Sequence, residues 1–165
     1  MESLVKPNYR QAEREAIRLL NEAGIIDPPV NPVHIANLVG VNVRFVAFQG
    51  ASEGVAGLFD PVQNAILVNQ AESGVRQTFT IAHELGHKVM HEEWANSQAY
   101  KVLWRDPSRR PNDRWEREAN TFAANLLMPK EMFEKYKSYP ISMVARIFAV
   151  SEEAAGYRRQ YLDGL

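Results

Sequence analysis

The sequence predicts an α+β domain, mostly helical, with a small three-stranded sheet packed on the helix expected over residues 72–91. Three observations lead there. Strand-like and helix-like periodicities are segregated along the chain rather than interleaved. Three short strand-like runs cluster between residues 41 and 69. Beyond residue 72 the apolar spacing is helical, apart from the stretch 95–112, which holds few periodic apolar residues.

Residues 8–23 read as an amphipathic helix, with Ala12, Ala16, Leu19, Leu20 and Ala23 at helical spacing and Gly24 suited to the position after its end. Asn31-Pro32 supplies an N-cap and an N1 proline for a short helix through Val39, which Gly40 stops. Val41, Val43 and Phe45 alternate with Asn42 and Arg44, a strand pattern. Gly50 to Gly54 is a loop. Val55–Phe59 and Ala65–Asn69 read as two strands of a hairpin turned by Asp60-Pro61-Val62-Gln63-Asn64. The next helix covers 72–91, and 95–112, with Pro107 and Pro111, reads as a long loop. A strong helix spans 113–128 and ends before Pro129. Three short helices are predicted near 130–138, 141–149 and 152–163.

The chain has 165 residues, which suits a single domain over 1–165 with a core of its own. Hydrophobic residues make up 45% and charged residues 24%, a soluble globular composition. A net charge of −1 gives no overall attraction for nucleic acid or an anionic membrane. Cysteine is absent, so disulfides and thiolate metal sites are excluded and any metal must be held by His and carboxylate. The first residues carry no apolar signal segment, and no apolar run approaches the ~18 residues of a membrane span, so a cytoplasmic location is expected.

His83-Glu84-Leu85-Gly86-His87 is an H-E-x-x-H motif inside the 72–91 helix. Residues four apart lie one turn apart on one face, so the two imidazoles can grip one ion. Glu84, beside them, is placed to act as a base toward water. Small and apolar neighbours (Thr80-Ile81-Ala82 and Leu85-Gly86) distinguish the motif from two solvated histidines on a surface helix. A catalytic zinc usually takes three protein ligands and keeps one position open. Two glutamates on the 113–128 helix compete for the third. Glu116 lies about 60° from the centre of that helix's apolar face, and Glu118 about 100° on the other side. Glu116 is therefore the expected third ligand, with Asn120 one turn further as a supporting neighbour. Glu118 is expected to point to solvent or to a basic neighbour.

The stretch Arg76–His87, with Thr80-Ile81-Ala82-His83-Glu84-Leu85-Gly86-His87 at its end, is followed by Glu116-Arg117-Glu118-Ala119-Asn120-Thr121-Phe122-Ala123-Ala124-Asn125-Leu126-Leu127-Met128-Pro129. Together they resemble the ImmA/IrrE metallopeptidase family. The likeness extends more weakly to Pro32-Val33-His34-Ile35-Ala36 and to Phe148-Ala149-Val150-Ser151. The resemblance implies a zincin-like fold and Zn2+-dependent proteolysis, with His83, His87 and Glu116 as metal ligands and Glu84 as catalytic base. It also implies a protein substrate of the helix-turn-helix repressor or antitoxin type. The rival reading is a non-proteolytic effector or toxin-like component of a two-gene pair that acts by holding its partner. The complete motif favours the enzyme, because binding alone does not need Glu84.

His91, one turn past His87, is read as a packing or supporting histidine, with an alternative-ligand or transition-state-donor role as its rival. His34 is read as structural. The arginines of the 95–112 loop (Arg105, Arg109, Arg110) suit a solvated connection, or a flap that docks substrate. The predicted helices over 140–165 imitate a helix-turn-helix. The second begins with Glu152 and Glu153, which suit its dipole but repel phosphate, so the pair is read as structural.

Overall fold

The computed structural model describes residues 5–95, 103–104 and 114–164. Helix α1 (Tyr9–Ala23) starts where the Asn8 side chain accepts from Gln11 N, and ends at Gly24 with a φ of 68°. Helix α2 (Pro32–Leu38) is capped by the Asn31 side chain, which accepts from Val33 N. Strands β1 (Asn42–Val46), β2 (Val55–Asp60) and β3 (Ala65–Asn69) follow. β1 runs parallel to β3, and β2 runs antiparallel to it. The β2–β3 turn is held by Asp60 Oδ1, which accepts from the backbone of Val62 and Gln63.

The three expected strands thus pair in the order β1-β3-β2, and a two-residue strand β4 (Leu103–Trp104) adds to β2. β4 pairs opposite Val55 and Gly57. These two residues had been read as part of the 95–112 loop, whose other members from 96 on lie outside the described residues.

Helix α3 (Gly74–Met90) lies on β2 and β3, with helix α5 (Arg114–Leu127) against its other side. Two glycines set both spacings. A Cβ on Gly57 would stand 2.5 Å from Thr80 Cγ2 and 2.8 Å from the Leu67 carbonyl oxygen, so α3 rests on the sheet only where β2 has no side chain. A Cβ on Gly86 would stand 2.9 Å from Phe122 Cδ1, so α5 approaches α3 through the second. α1 packs on the remaining flank of α5. The core runs through these contacts, with Leu19, Phe59, Ile66, Leu85, Phe122 and Leu126 fully buried.

A short α4 (Glu92–Ala95) follows α3, and α6 (Lys130–Glu134), α7 (Ile141–Phe148) and α8 (Glu152–Leu162) close the described chain. α6 is shorter than its sequence pattern suggests, and turns replace the helix after Glu134. Phe133 and Phe148 stack at 5.3 Å between ring centres. The buried Arg158 ties α8 to the end of α5, donating to the Met128 carbonyl and to Asn125 Oδ1, each at 3.0 Å. None of the described helices is long and apolar enough to cross a membrane.

Candidate metal centre

The H-E-x-x-H turn sits in the middle of α3, where eight consecutive residues from Thr80 to His87 are buried. This burial follows from position: α3 is covered by the sheet on one side and α5 on the other. His83 and His87 project toward α5 and meet Glu116 from its first turn. His83 Nε2 and His87 Nε2 lie 3.1 Å apart. Glu116 Oε2 lies 3.1 Å from His83 Nε2, and Glu116 Oε1 lies 2.8 Å from His87 Nε2. His34, on α2, is not among the converging groups.

Three donor atoms from two helices therefore point at one spot. A tetrahedral zinc with bonds of ~2.0–2.1 Å spaces its ligand atoms by about 3.3–3.4 Å. The observed triangle reaches that spacing with outward shifts of a few tenths of an ångström. His83 Nδ1 donates to Asn120 Oδ1 at 2.8 Å, which leaves the Nε2 lone pair facing inward. Two imidazole nitrogens and a carboxylate converging in a buried spot are donor types that suit a divalent metal.

The electrostatics of Glu116 and His87 suit a metal, while those of His83 favour its charged form. Burial raises the Glu116 carboxyl, but the hydrogen bonds and charges of His83 and His87 outweigh it and hold it at about 2. Burial brings His87 down to about 4 against the hydrogen bond with Glu116, and the charges of His83 and His91 add to the lowering. His83 goes the other way: burial lowers it, but the hydrogen bond and charge of Glu116, with Glu84 beside it, leave it above its ordinary value. Near neutral pH the cluster thus offers an ionised carboxylate and an uncharged His87, the forms that bind metal.

Glu84 shares the buried turn, with 1% of its surface exposed. Behind the histidines Glu118 takes the second of its two expected environments, a basic neighbour. Glu118 does not reach solvent; it is 5% exposed and meets the basic neighbour His91, with Glu118 Oε2 2.6 Å from His91 Nε2. Its Oε1 accepts from the Asn8 backbone N–H at 2.7 Å. His91 Nδ1 in turn lies 3.0 Å from His87 Nδ1. The cause is that α5 has covered flanks on both sides, α3 on one and α1 on the other.

Residues 36–159 match the Peptidase_M78 family, described as the IrrE N-terminal-like domain. The chain belongs to the IrrE N-terminal-like domain family. This is a family of metalloproteases. The chain is 26% identical over 174 residues to the radiation response metalloprotease IrrE of Deinococcus radiodurans, covering 89% of the chain and 48% of that relative. It is 31% identical over 110 residues to immunity region protein 2 of Bacillus phage phi105, covering 66% of the chain and 65% of that protein. The chain spans about half the length of the Deinococcus relative. A solved structure of a Mycobacterium tuberculosis transcriptional regulator superposes with a TM-score of 0.65 at 19% identity, over 90% of this chain and 46% of that one. This likeness carries the α+β, zincin-like fold.

In this IrrE-like domain a groove of about 910 Å³ lies between α3, α5 and α8, and none of His83, Glu84, His87 and Glu116 lines it. Phe79 and Asn120 line its inner end and both touch His83; Tyr157 and Tyr161 of α8 line its outer part. The outer edge of β2 is paired with β4 at Val55 and Gly57. Arg105, Arg109 and Arg110 lie outside the described residues.

Proposed function

We propose that this chain is a zinc-dependent endopeptidase in which His83, His87 and Glu116 hold the metal and Glu84 is the general base. The observation that supports it most is the buried convergence of two Nε2 atoms and one carboxylate within about 3 Å of one another, with Glu84 on the same helical turn. A zinc ion in such a site supplies Lewis acidity and lowers the pKa of water to ~7. Glu84 takes the proton of the attacking water on a carboxylate oxygen and passes it to the leaving amine nitrogen. Asn120 holds the His83 ring in the tautomer that turns Nε2 inward.

The substrate is a protein segment of a helix-turn-helix repressor or antitoxin-type partner. Support comes from the family, from the phage immunity-region relative, and from the transcriptional regulator that shares the fold. The groove between α3, α5 and α8 is of a size to take several side chains, and it reaches the cluster only through Phe79 and Asn120.

Co-expression with a candidate helix-turn-helix repressor from the same genome tests the reading. The full-length repressor should disappear with the wild-type chain and persist with Glu84→Gln, which keeps the metal but lacks a base. Cleavage by Glu84→Gln at the wild-type rate would refute it. A repressor that binds the wild-type chain tightly yet stays whole would favour the holding component instead.

A further inference from the structure

The groups behind His87 form a directed hydrogen-bond chain that starts in a different helix. Asn8, at the N-cap of α1, donates its backbone N–H to Glu118 Oε1 at 2.7 Å. Glu118 Oε2 lies 2.6 Å from His91 Nε2, and His91 Nδ1 lies 3.0 Å from His87 Nδ1. Each imidazole nitrogen either donates or accepts, so one fixed end decides every other step. An ionised carboxylate only accepts. His91 Nε2 must then carry the proton toward Glu118. A neutral His91 is left with a lone pair on Nδ1, which accepts from His87 Nδ1–H. His87 Nε2 is thereby left as a lone pair, facing His83 Nε2 and Glu116.

We propose that Glu118 and His91 are positioning residues that set the tautomer and ring orientation of His87 for metal binding. This rests on the reading of His83, His87 and Glu116 as the metal site. Three further observations carry it. His91 and Glu118 are buried at 4% and 5% exposure, so water does not substitute easily for either. The Trp115 ring packs edge-on to His91 at 4.4 Å between centres, which restricts its rotation. The chain ends on a backbone N–H, which cannot reverse its role. The arrangement pairs with Asn120, which does the same for His83 from the same helix α5. Each histidine of the motif thus has its own acceptor, and α5 supplies both acceptor systems along with Glu116. Buried partners that orient ligating histidines typically hold 10–100-fold of metal affinity.

Glu118→Gln is the discriminating variant. It keeps the side-chain shape and an oxygen for the Asn8 N–H, but turns an amide N–H2 toward His91 Nε2. Accepting there would force the proton onto His91 Nδ1, which would donate to His87 Nδ1 and move the His87 proton onto Nε2, against the metal. Zinc affinity is measured by chelator competition on the full chain. Histidine 15N NMR of the zinc-loaded protein reads the tautomers. The expected result is a 10–100-fold weaker zinc affinity for Glu118→Gln with the helical circular dichroism retained, and a protonated His87 Nδ1 in the wild type. A second pair guards against misfolding: His91→Asn keeps an acceptor for His87 and should bind zinc more tightly than His91→Leu. Wild-type affinity in Glu118→Gln, or equal affinity in the two His91 variants, would overturn the proposal while leaving the metal site intact. A wild type that takes up no zinc would overturn the metal site, and the positioning role with it.

Discussion

His83 Nδ1 donates to Asn120 Oδ1 at 2.8 Å, joining the His83–His87 turn of α3 to the helix that brings Glu116. Asn120 lies one turn beyond Glu116, so a single face of α5 delivers both the carboxylate and the group that orients its histidine partner. Asn120→Ala is expected to weaken zinc binding by about 10–100-fold, and Asn120→Asp, which keeps an acceptor, to preserve it. Chelator competition on the three proteins checks this. Equal affinity in Asn120→Ala would show that the contact does not position His83.

Gly86→Ala sets two effects against each other. Within an exposed helix, alanine is favoured over glycine by about 1 kcal/mol. Here the new methyl would stand 2.9 Å from Phe122 Cδ1 and 3.2 Å from its Cβ, and Phe122 is fully buried. Overpacking of a close-packed core costs about 1–3 kcal/mol, so net destabilisation is expected. Urea unfolding at equal m-value measures it. A more stable variant would mean that α3 and α5 have slack between them.

The metal-free protein should lose stability on acidification. His87 is held at about 4 against an ordinary 6.5, so its contribution is present above 6.5 and is lost as pH falls toward 4. Glu116 is held at about 2 against 4.5, so its contribution is lost between 4.5 and 2. The two groups touch, so they titrate as one coupled pair and not as two independent contributions. His83, raised above 6.5, acts in the opposite sense and loses its contribution as pH rises through its folded value. Chelator-treated protein unfolded in urea between pH 7 and pH 3 tests the slope. Stability that grows steadily toward pH 4 would contradict this sign.

Most elements, and the meeting of His83, His87 and Glu116, were legible in the sequence. The helix cap at Asn31, the glycine after α1 and the period change after β3 are local signals, and local signals survive folding. Glu118 was only half legible. A helical wheel assumes one buried face, whereas α5 is covered by α3 and α1 on different flanks. Nothing near Glu118 in sequence announces that the N-cap of α1, 110 residues earlier, supplies its partner. The role of β4 was hidden for a similar reason: two residues carry no periodicity, and their pairing with β2 is decided by the sheet edge they meet. The two close approaches through Gly57 and Gly86 were also invisible, because each depends on the residue across the interface.

The α7–α8 pair should not read DNA. α8 opens with Glu152 and Glu153, both exposed and in its first turn, and Ser151 caps it by accepting from Ala154 N at 3.1 Å. Two carboxylates at the end that would enter a groove repel phosphate. No mobility shift is expected at low salt, where non-specific binding is strongest. A tight shift abolished by substitutions in 152–160 would reverse this assignment.

Metal content after purification tests the central claim most directly. Wild type and Glu84→Gln should each carry about one zinc per chain, while His83→Ala, His87→Ala and Glu116→Ala should carry almost none. Full zinc stoichiometry in His83→Ala or in Glu116→Ala would contradict the site.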